Sequence, residues 1–224
     1  MPREAEIDRP NPFSDPQLVA RYAEGPPRIV PSFDAMQRMT TFLLAERVPK
    51  DGRVLVIGAG GGLELKTFAE AHPGWTFDGI DPSAEMLKLA HRTLGSLGAR
   101  TTLHQGYTED APGGPFDGAT CLMTMHFLSL EERQCATAEI HRRLKPGAPF
   151  VVAHFCIPQD GERAVWLSRY ATYAGIDPDQ AAAIDTHLTI LSPEHDEAIL
   201  RDAGFSKVSL FYAGFTFRGW VGYA

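Results

Sequence analysis

The amino-acid sequence predicts an α/β fold with a doubly wound, mostly parallel sheet, and two observations carry this prediction. Short β-branched runs alternate with helix-compatible segments between about residues 53 and 155. A glycine loop, Gly58-Ala-Gly-Gly-Gly62, directly follows the first run, and Asp81 ends the second. Because parallel strands are joined by right-handed crossovers, we expect the loop and the acid at one carboxyl edge of the sheet.

The individual elements are predicted in chain order from apolar spacing, turn residues and helix caps. The predicted strands are residues 53–57, 75–80, 101–105, about 118–123, 149–155, 207–213 and 216–223, and the last two form a hairpin. The predicted helices are residues 16–23, 33–47, 62–71, 85–97 with Pro82 in the first turn, 129–144 after a capping box at Ser129 and Glu132, and 192–204.

We expect the 224 residues to form a single domain, because a chain of this length can bury one sizeable core. Residues 1–47 are predicted to form an N-terminal arm and a cap helix. Residues 157–191 interrupt the strand–helix alternation and are too long for an ordinary connection. We therefore expect them to form a lid that contains a helix-prone stretch at residues 177–188.

Composition restricts the partners and the compartment. A formal net charge of −7 argues against nucleic acid, whose affinity for proteins is built from surplus Lys and Arg. The three cysteines have no metal-ligand spacing, which favours a reduced, cytoplasmic protein. Residues 1–12 lack the apolar segment of a secretory signal, and no apolar run approaches the ~20 residues of a membrane span. Both a monomer and a homodimer fit the sequence.

The spacing of the glycines argues against two common classes of nucleotide-binding loop. A dinucleotide loop requires G-x-G-x-x-G, and Leu63 occupies the position of its last glycine. A P-loop requires a Gly-Lys-Ser/Thr ending, which does not follow here. A glycine-rich turn without a ligand stays an alternative. It fits less well, because strand, loop, helix, strand and acid follow in the order that a nucleoside site needs.

The G-x-G-x-G spacing with Asp81 after it resembles the cofactor loop of class I S-adenosylmethionine-dependent methyltransferases. Residues 116–123 resemble the fourth strand of that family, and residues 143–147 resemble the loop before its fifth strand. The resemblance runs from about residue 20 onward. It implies seven strands in the order 3-2-1-4-5-7-6 with strand 7 antiparallel, S-adenosyl-L-methionine as cofactor, and a small-molecule methyl acceptor.

The resemblance also implies the cofactor-binding residues. The loop glycines would lie beside the methionine moiety, and Asp81 would bind both ribose hydroxyls. Tyr107 stands where the family often has an adenine-binding Asp, so we expect it to stack on the purine while Thr108 or Glu109 makes the polar contact. The expected set is Gly58, Ala59, Gly60, Gly62, Asp81, Pro82, Met86, Tyr107, Thr108 and Met123.

His126, just beyond strand 4, is the candidate catalytic residue. Imidazole can deprotonate a nucleophile near neutral pH, although a histidine that only shapes the pocket is an equal alternative. The expected substrate-binding residues are Tyr22, Arg28, His154, Trp166, Tyr170 and Tyr173. For the lid aromatics and His154, a packing role stays open. Glu64 and Asp110 are expected at solvated helix starts.

A finer resemblance, to the carboxy-S-adenosylmethionine synthase branch that serves tRNA modification, rests on residues 28–33, 203–205 and 210–217. That branch grips the carboxylate of its product with an arginine in the last helix. The corresponding position here is Ile199, with Arg201 two residues later, and a buried carboxylate needs a cationic partner. A synthase of this kind, a non-catalytic cofactor-binding protein and, more distantly, a nicotinamide oxidoreductase stay as alternatives to a methyltransferase.

Overall fold

A computed structural model describes residues 12–177 and 184–224. Within these ranges, seven strands form one sheet in the order β3-β2-β1-β4-β5-β7-β6. The strands are β1 (Arg53–Ile57), β2 (Thr76–Asp81), β3 (Thr101–Gln105), β4 (Gly118–Leu122), β5 (Pro149–Phe155), β6 (Ser206–Gly214) and β7 (Phe217–Tyr223). Strands β1 to β5 pair in parallel, and β7 is antiparallel to both β5 and β6. The predicted sheet order and hairpin are confirmed.

The helices cover both faces of this sheet. They are α1 (Pro16–Ala20), α2 (Pro26–Ile29), α3 (Phe33–Ala45), α4 (Leu63–Ala71), α5 (Ala84–Leu94), α6 (Leu130–Arg143), α7 (Arg163–Ala174) and α8 (Pro193–Asp202). The capping box of Ser129 and Glu132 at the start of α6 is confirmed. Helix α7 lies inside the predicted lid, whereas the helix expected over residues 177–188 lies partly outside the described residues.

Two details of α5 differ from the prediction. Pro82 is not in the first turn, because Ser83 is the N-cap and its Oγ accepts the Met86 backbone N–H at 3.1 Å. The helix ends at Leu94 rather than Leu97, because Gly95 has φ = 51° and leaves the helical conformation. A 3₁₀ segment, Gly95–Arg100, then leads into β3.

Apolar residues fill one core on each face of the sheet. On one face, Val54 and Val56 of β1 pack with Leu65 and Phe68 of α4. On the other face, Leu55 and Ile57 join a cluster that includes residues of α6 and α8. Strand β1 is therefore buried on both sides, which explains its continuous apolar sequence. Within the described ranges, no helix combines the length and apolar character needed to cross a bilayer.

Candidate cofactor and acceptor site

The glycine loop after β1 adopts a conformation that only glycine tolerates well. Gly58, Gly60 and Gly62 have φ angles of 71°, 48° and 78°. A Cβ at Gly58 would collide with the side chain of Thr124, and a Cβ at Gly62 would lie 3.1 Å from the Ala90 Cβ. The spacing of these glycines is thus set by backbone conformation and by close packing against the elements that follow β4 and β2.

Asp81 lies beside this loop, as the sequence predicts. Its Oδ2 accepts the Gly60 backbone N–H at 3.0 Å, and its Oδ1 accepts the Ser83 backbone N–H at 2.9 Å. Burial raises the pKa of Asp81, and the two N–H groups act in the opposite direction. A carboxylate has about four lone-pair sites, so each oxygen retains capacity to accept a hydroxyl. Asp81 therefore both holds the loop and offers acceptors for a diol.

A segment of the N-terminal arm lies across this edge of the sheet. The Tyr22 ring is so close to the loop that a Cβ at Gly61 would lie 3.0 Å from its Cδ1. Phe13 makes edge contacts with Tyr22 and with Phe127, and its carbonyl accepts the Ser83 hydroxyl. Tyr22, expected among the substrate-binding residues, is thus in contact with the glycine loop.

The position of Glu64 corrects the prediction of a solvated helix start. Only 8% of this residue is exposed, and it lies close enough to Tyr22 for its charge to raise the pKa of the Tyr22 hydroxyl. Its Oε1 has no hydrogen-bond partner among the described residues. Burial raises the pKa of Glu64 to about 8, its own backbone N–H opposes this rise, and the charge of Asp81 adds to it. Asp110, by contrast, is exposed as predicted.

The expected adenine end follows β3. The Tyr107 backbone N–H donates to Asp110 Oδ2 at 3.0 Å, and buried Thr108 begins the 3₁₀ turn Thr108–Asp110. The Gln105 side-chain amide donates to the Pro82 carbonyl at 3.3 Å, which joins this turn to the end of β2. Tyr107 and Thr108 therefore lie at the same edge as Asp81. Stacking of Tyr107 on adenine stays a prediction.

The opposite side of the edge begins with a strained residue. Met123 follows β4 with φ = 57°, which is uncommon for a non-glycine residue, and its N–H donates to the Ala153 carbonyl at 2.6 Å. Such strain is concentrated at functional sites, because the surrounding structure has to enforce it. Here it turns the chain into the 3₁₀ segment Met125–Phe127, which carries His126.

His126 is buried, and its protonation state follows from its hydrogen bond. Its Nδ1 accepts the Phe155 backbone N–H at 3.2 Å, so a neutral ring carries its proton on Nε2. Burial, followed by the nearby His154 and Arg133, lowers the pKa of His126 well below its ordinary value. In this arrangement Nε2 is a hydrogen-bond donor. A base role would require the proton on Nδ1, where it would face the Phe155 N–H, so that role stays a prediction that this geometry does not favour.

His154 belongs to a buried ionic network between β5, α6 and α8. Its Nε2 lies 2.9 Å from Asp196 Oδ2, while Arg133 donates to Asp196 Oδ1 and to the Thr189 carbonyl, each at 2.6 Å. Burial favours a higher pKa for Asp196, but His154 and Arg133 outweigh it and hold the pKa below its ordinary value. His154 is therefore buried against Asp196 and does not contact the aromatic residues of the lid in the described contacts.

Arg133 and Asp196 form a buried ion pair that the sequence patterns do not single out, because both lie in the first turns of helices, where polar residues are common. The sequence does contain one signal. Arg133 shares a helical spacing with Thr137, Ile140 and Leu144, and all four residues are buried. A charged residue on such a stripe indicates a buried ion pair.

The lid aromatics divide into two groups. Tyr170 is buried and packs edge-on against Phe155, with ring centroids 4.7 Å apart. Trp166 and Tyr173 instead contact Phe215 in the β6–β7 turn, and their ring centroids lie 5.8 and 5.4 Å from that of Phe215. Arg28, on α2, is exposed. A shared substrate-binding role for the six expected residues stays a prediction.

The sheet order, the left-handed glycine loop and the acid that ends β2 define the class I S-adenosylmethionine-dependent methyltransferase fold. Residues 54–147 match the family model described as "Methyltransferase domain". Over these residues the chain is therefore similar to a methyltransferase domain. In the two described ranges, no group of three or more His, Cys, Asp or Glu residues is arranged to hold a metal.

The chain is also similar to several particular proteins. The chain is 28% identical over 141 residues to a ubiquinone/menaquinone biosynthesis C-methyltransferase of Syntrophotalea carbinolica. The aligned region covers 58% of this chain and 60% of that protein. It is 21% identical over 189 residues to the carboxy-S-adenosyl-L-methionine synthase of Campylobacter curvus, which covers 81% of each. An O-methyltransferase family protein from Burkholderia thailandensis superposes with a TM-score of 0.68 at 17% identity, over 93% of this chain and 57% of that chain. The chain thus spans about three-fifths of the length of the C-methyltransferase.

Proposed function

We propose that this chain transfers a methyl group to an O, N or C nucleophile of a small molecule by in-line displacement. One observation carries the proposal: the Asp81-held glycine loop and the strained Met123–His126 turn lie at the same carboxyl edge of the sheet. The bound cofactor supplies an electrophilic methyl group. The chain supplies binding, alignment and exclusion of water.

On the cofactor side, the loop backbone would approach the methionine moiety, and Asp81 would accept the ribose hydroxyls. Met86 packs near Gly60, with its Cε 3.3 Å from where a Cβ of that glycine would lie. Tyr107 and Thr108 would flank adenine. These residues follow β1, β2 and β3, so neighbouring strands would present them to one extended ligand.

On the acceptor side, the donor character of His126 Nε2 suits a nucleophile that carries a lone pair or a negative charge. A hydrogen bond from Nε2 would orient the attacking atom toward the methyl group. The lid and its aromatic residues favour a small apolar or aromatic acceptor. The net charge of −7 disfavours a nucleic-acid acceptor.

The site assignment is tested by titrating S-adenosylhomocysteine into wild type, Asp81→Ala and an Asp51→Ala control. Asp51 is exposed in the turn before β1, at the opposite edge of the sheet. We expect about a 100-fold loss of affinity for Asp81→Ala, because hydrogen bonds to a charged group contribute about 1.5–3 kcal/mol each. Unchanged affinity would remove Asp81 from the site.

The acceptor class is tested by following labelled methyl transfer to quinols, phenols and amines, with bulk tRNA as the competing acceptor. We expect turnover with at least one small-molecule class and none with tRNA. Preferential labelling of tRNA would overturn the small-molecule assignment. Tight cofactor binding without transfer to any acceptor would instead favour the non-catalytic cofactor-binding alternative.

A carboxy-S-adenosylmethionine synthase activity is a second candidate, because the match to that synthase covers 81% of this chain. Two observations on the last helix weigh against this activity. Ile199 is buried and apolar, and Arg201 pairs with Glu197 at 2.7 Å with 55% of its side chain exposed. Mass spectrometry of the ligand retained on purification separates the two activities, because an added carboxylate increases the mass.

A further inference from the structure

Glu64 is a buried carboxyl to which the proposed chemistry assigns no role. It is the second residue of α4, two positions after the last loop glycine, and 8% of it is exposed. Its Oε1 has no hydrogen-bond partner within the described residues. Burial of a polar atom without a partner costs free energy, so such an atom needs an explanation, and a contact that forms only with a ligand is one such explanation.

The groups that act on the charge of Glu64 are acids. Asp81 faces it from the end of β2 and raises its pKa, and Glu64 in turn raises the pKa values of the Tyr22 hydroxyl and the Cys121 thiol. On its own helix, Lys66 is half exposed and lies 4.0 Å from Glu70. Among the described residues, no positively charged side chain is therefore placed to pair with an ionised Glu64.

The buried acid of α8 provides a direct contrast. Asp196 is equally buried, but Arg133 and His154 lie within 3 Å of its two oxygens and hold its pKa below the ordinary value. Arg133 also acts on Cys121, yet it is already paired with Asp196. The acceptor side thus supplies its own cations, whereas the loop side has two neighbouring carboxyls and, within the described residues, no paired cation.

We propose that Glu64 is a cofactor-binding residue that pairs with a cationic group of S-adenosylmethionine, the sulfonium or the α-ammonium, and gives up its proton when the cofactor binds. This inference rests on the proposed function. The proton leaves Glu64 for solvent, and the positive charge of the ligand replaces it as the partner of the carboxylate.

Because Glu64 would lose its proton when S-adenosylmethionine binds, the affinity for this ligand should depend on pH. Below pH 8 the carboxyl of the free protein is mostly protonated, because its pKa is about 8. The dissociation constant for S-adenosylmethionine should therefore fall about tenfold per pH unit between pH 6 and pH 8, then level off. S-adenosylhomocysteine has the same α-ammonium but no sulfonium, so it separates the two cations.

The experiment is calorimetric titration at pH 7 in phosphate and in Tris, whose ionisation enthalpies differ. The ligands are S-adenosylmethionine and S-adenosylhomocysteine, and the proteins are wild type, Glu64→Gln and Glu70→Gln. Glutamine preserves the shape and the neutral state of the protonated carboxyl. Glu70 is a matched control, because it lies on the same helix with 59% of its side chain exposed.

For wild type and Glu70→Gln, we expect release of about one proton per S-adenosylmethionine bound. Glu64→Gln should release almost none, and its affinity should not follow pH between 6 and 8. Release with both ligands identifies the α-ammonium as the partner, and release with S-adenosylmethionine alone identifies the sulfonium. Equal proton release by wild type and Glu64→Gln overturns the inference.

The two proposals fail separately. If neither ligand binds wild type at any pH, the proposed function fails. If both ligands bind wild type without proton release, the proposed function stands and Glu64 is a purely structural carboxyl. A thermal melt without ligand checks that Glu64→Gln is folded, so a loss of proton release cannot be attributed to unfolding.

Discussion

The carboxyl edge of this sheet has two sides, which we call the cofactor edge (after β1, β2 and β3) and the acceptor edge (after β4 and β5), and they are built in different ways. At the cofactor edge, backbone N–H groups of Gly60 and Ser83 bond to Asp81, and a short stretch of sequence contains most of the motif. At the acceptor edge, Arg133 joins Asp196 to the Thr189 carbonyl across more than fifty residues of sequence. The first edge depends on backbone conformation, and the second depends on buried side-chain charges.

This difference predicts which property a substitution changes first, ligand affinity or stability. A substitution at the cofactor edge changes local backbone geometry and is expected to act first on ligand affinity. A substitution at the acceptor edge leaves a buried charge without its partner, so it is expected to act first on stability.

The largest effect is expected from Arg133→Met. Loss of the guanidinium leaves Asp196 buried beside His154 alone, which should lower the free energy of unfolding by about 4 kcal/mol. Urea denaturation measures the change, and Arg142→Met is the control, because Arg142 is exposed on the same helix. Adding Asp196→Leu should recover most of the loss. Equal stability of Arg133→Met and Arg142→Met would refute a structural role for the network.

Gly58→Ala tests the cofactor edge. Its φ of 71° and the contact with Thr124 should together cost about 3 kcal/mol of stability. Gly175→Ala is a matched control, since Gly175 has φ = 65° in the left-handed region but no atom within 4 Å of the place that a Cβ would occupy. We expect the control to lose about 1 kcal/mol and to keep its affinity for S-adenosylhomocysteine. Similar losses of stability and affinity in both variants would show that packing against Thr124 is unimportant.

Glu64→Gln should stabilise the protein when no ligand is bound. The pKa of Glu64 is raised from 4.5 to about 8, so its contribution to stability is fully present below pH 4.5 and is lost as the pH rises to 8. At one pKa unit per 1.36 kcal/mol, the variant should gain at most roughly 3 kcal/mol at pH 7. Thermal melts between pH 4.5 and 9 measure this gain. A gain that does not grow with pH would show that Glu64 titrates normally.

The smallest effect concerns His126. Because its pKa lies well below the ordinary value, the ring should stay neutral, and kcat should have no acidic limb between pH 6 and 8. His126→Phe should lower kcat about tenfold, roughly the value of one lost hydrogen bond, without changing the shape of the profile. An acidic limb near pH 6.5 that disappears in His126→Phe would restore the base hypothesis.

The same contrast explains what the sequence can reveal. Strands β1, β3 and β5 are predicted to the residue, because each is a short run bounded by turn residues. The glycine loop and Asp81 are predicted because local spacing determines both. These features depend on neighbours in the chain.

The features that the sequence does not reveal depend on distant neighbours. The surroundings of buried Glu64 include Tyr22, about forty residues earlier in the chain. The donor state of His126 requires the N–H of Phe155, and the charge of Asp196 requires Arg133, 63 residues away. A helical pattern can mark Arg133 as buried, but single-sequence patterns do not identify the partner in any of these pairings.

The two hydrogen bonds of Thr189 determine where this enzyme could be recombined with its relatives. Its N–H donates to the His126 carbonyl at 2.9 Å, and its carbonyl accepts from Arg133. A foreign lid should therefore replace residues 158–188 and stop before Thr189. A chimera with that boundary would carry a new lid over the acceptor site. It would keep the hydrogen bonds of Thr189 to His126 and Arg133, which attach the lid to the sheet.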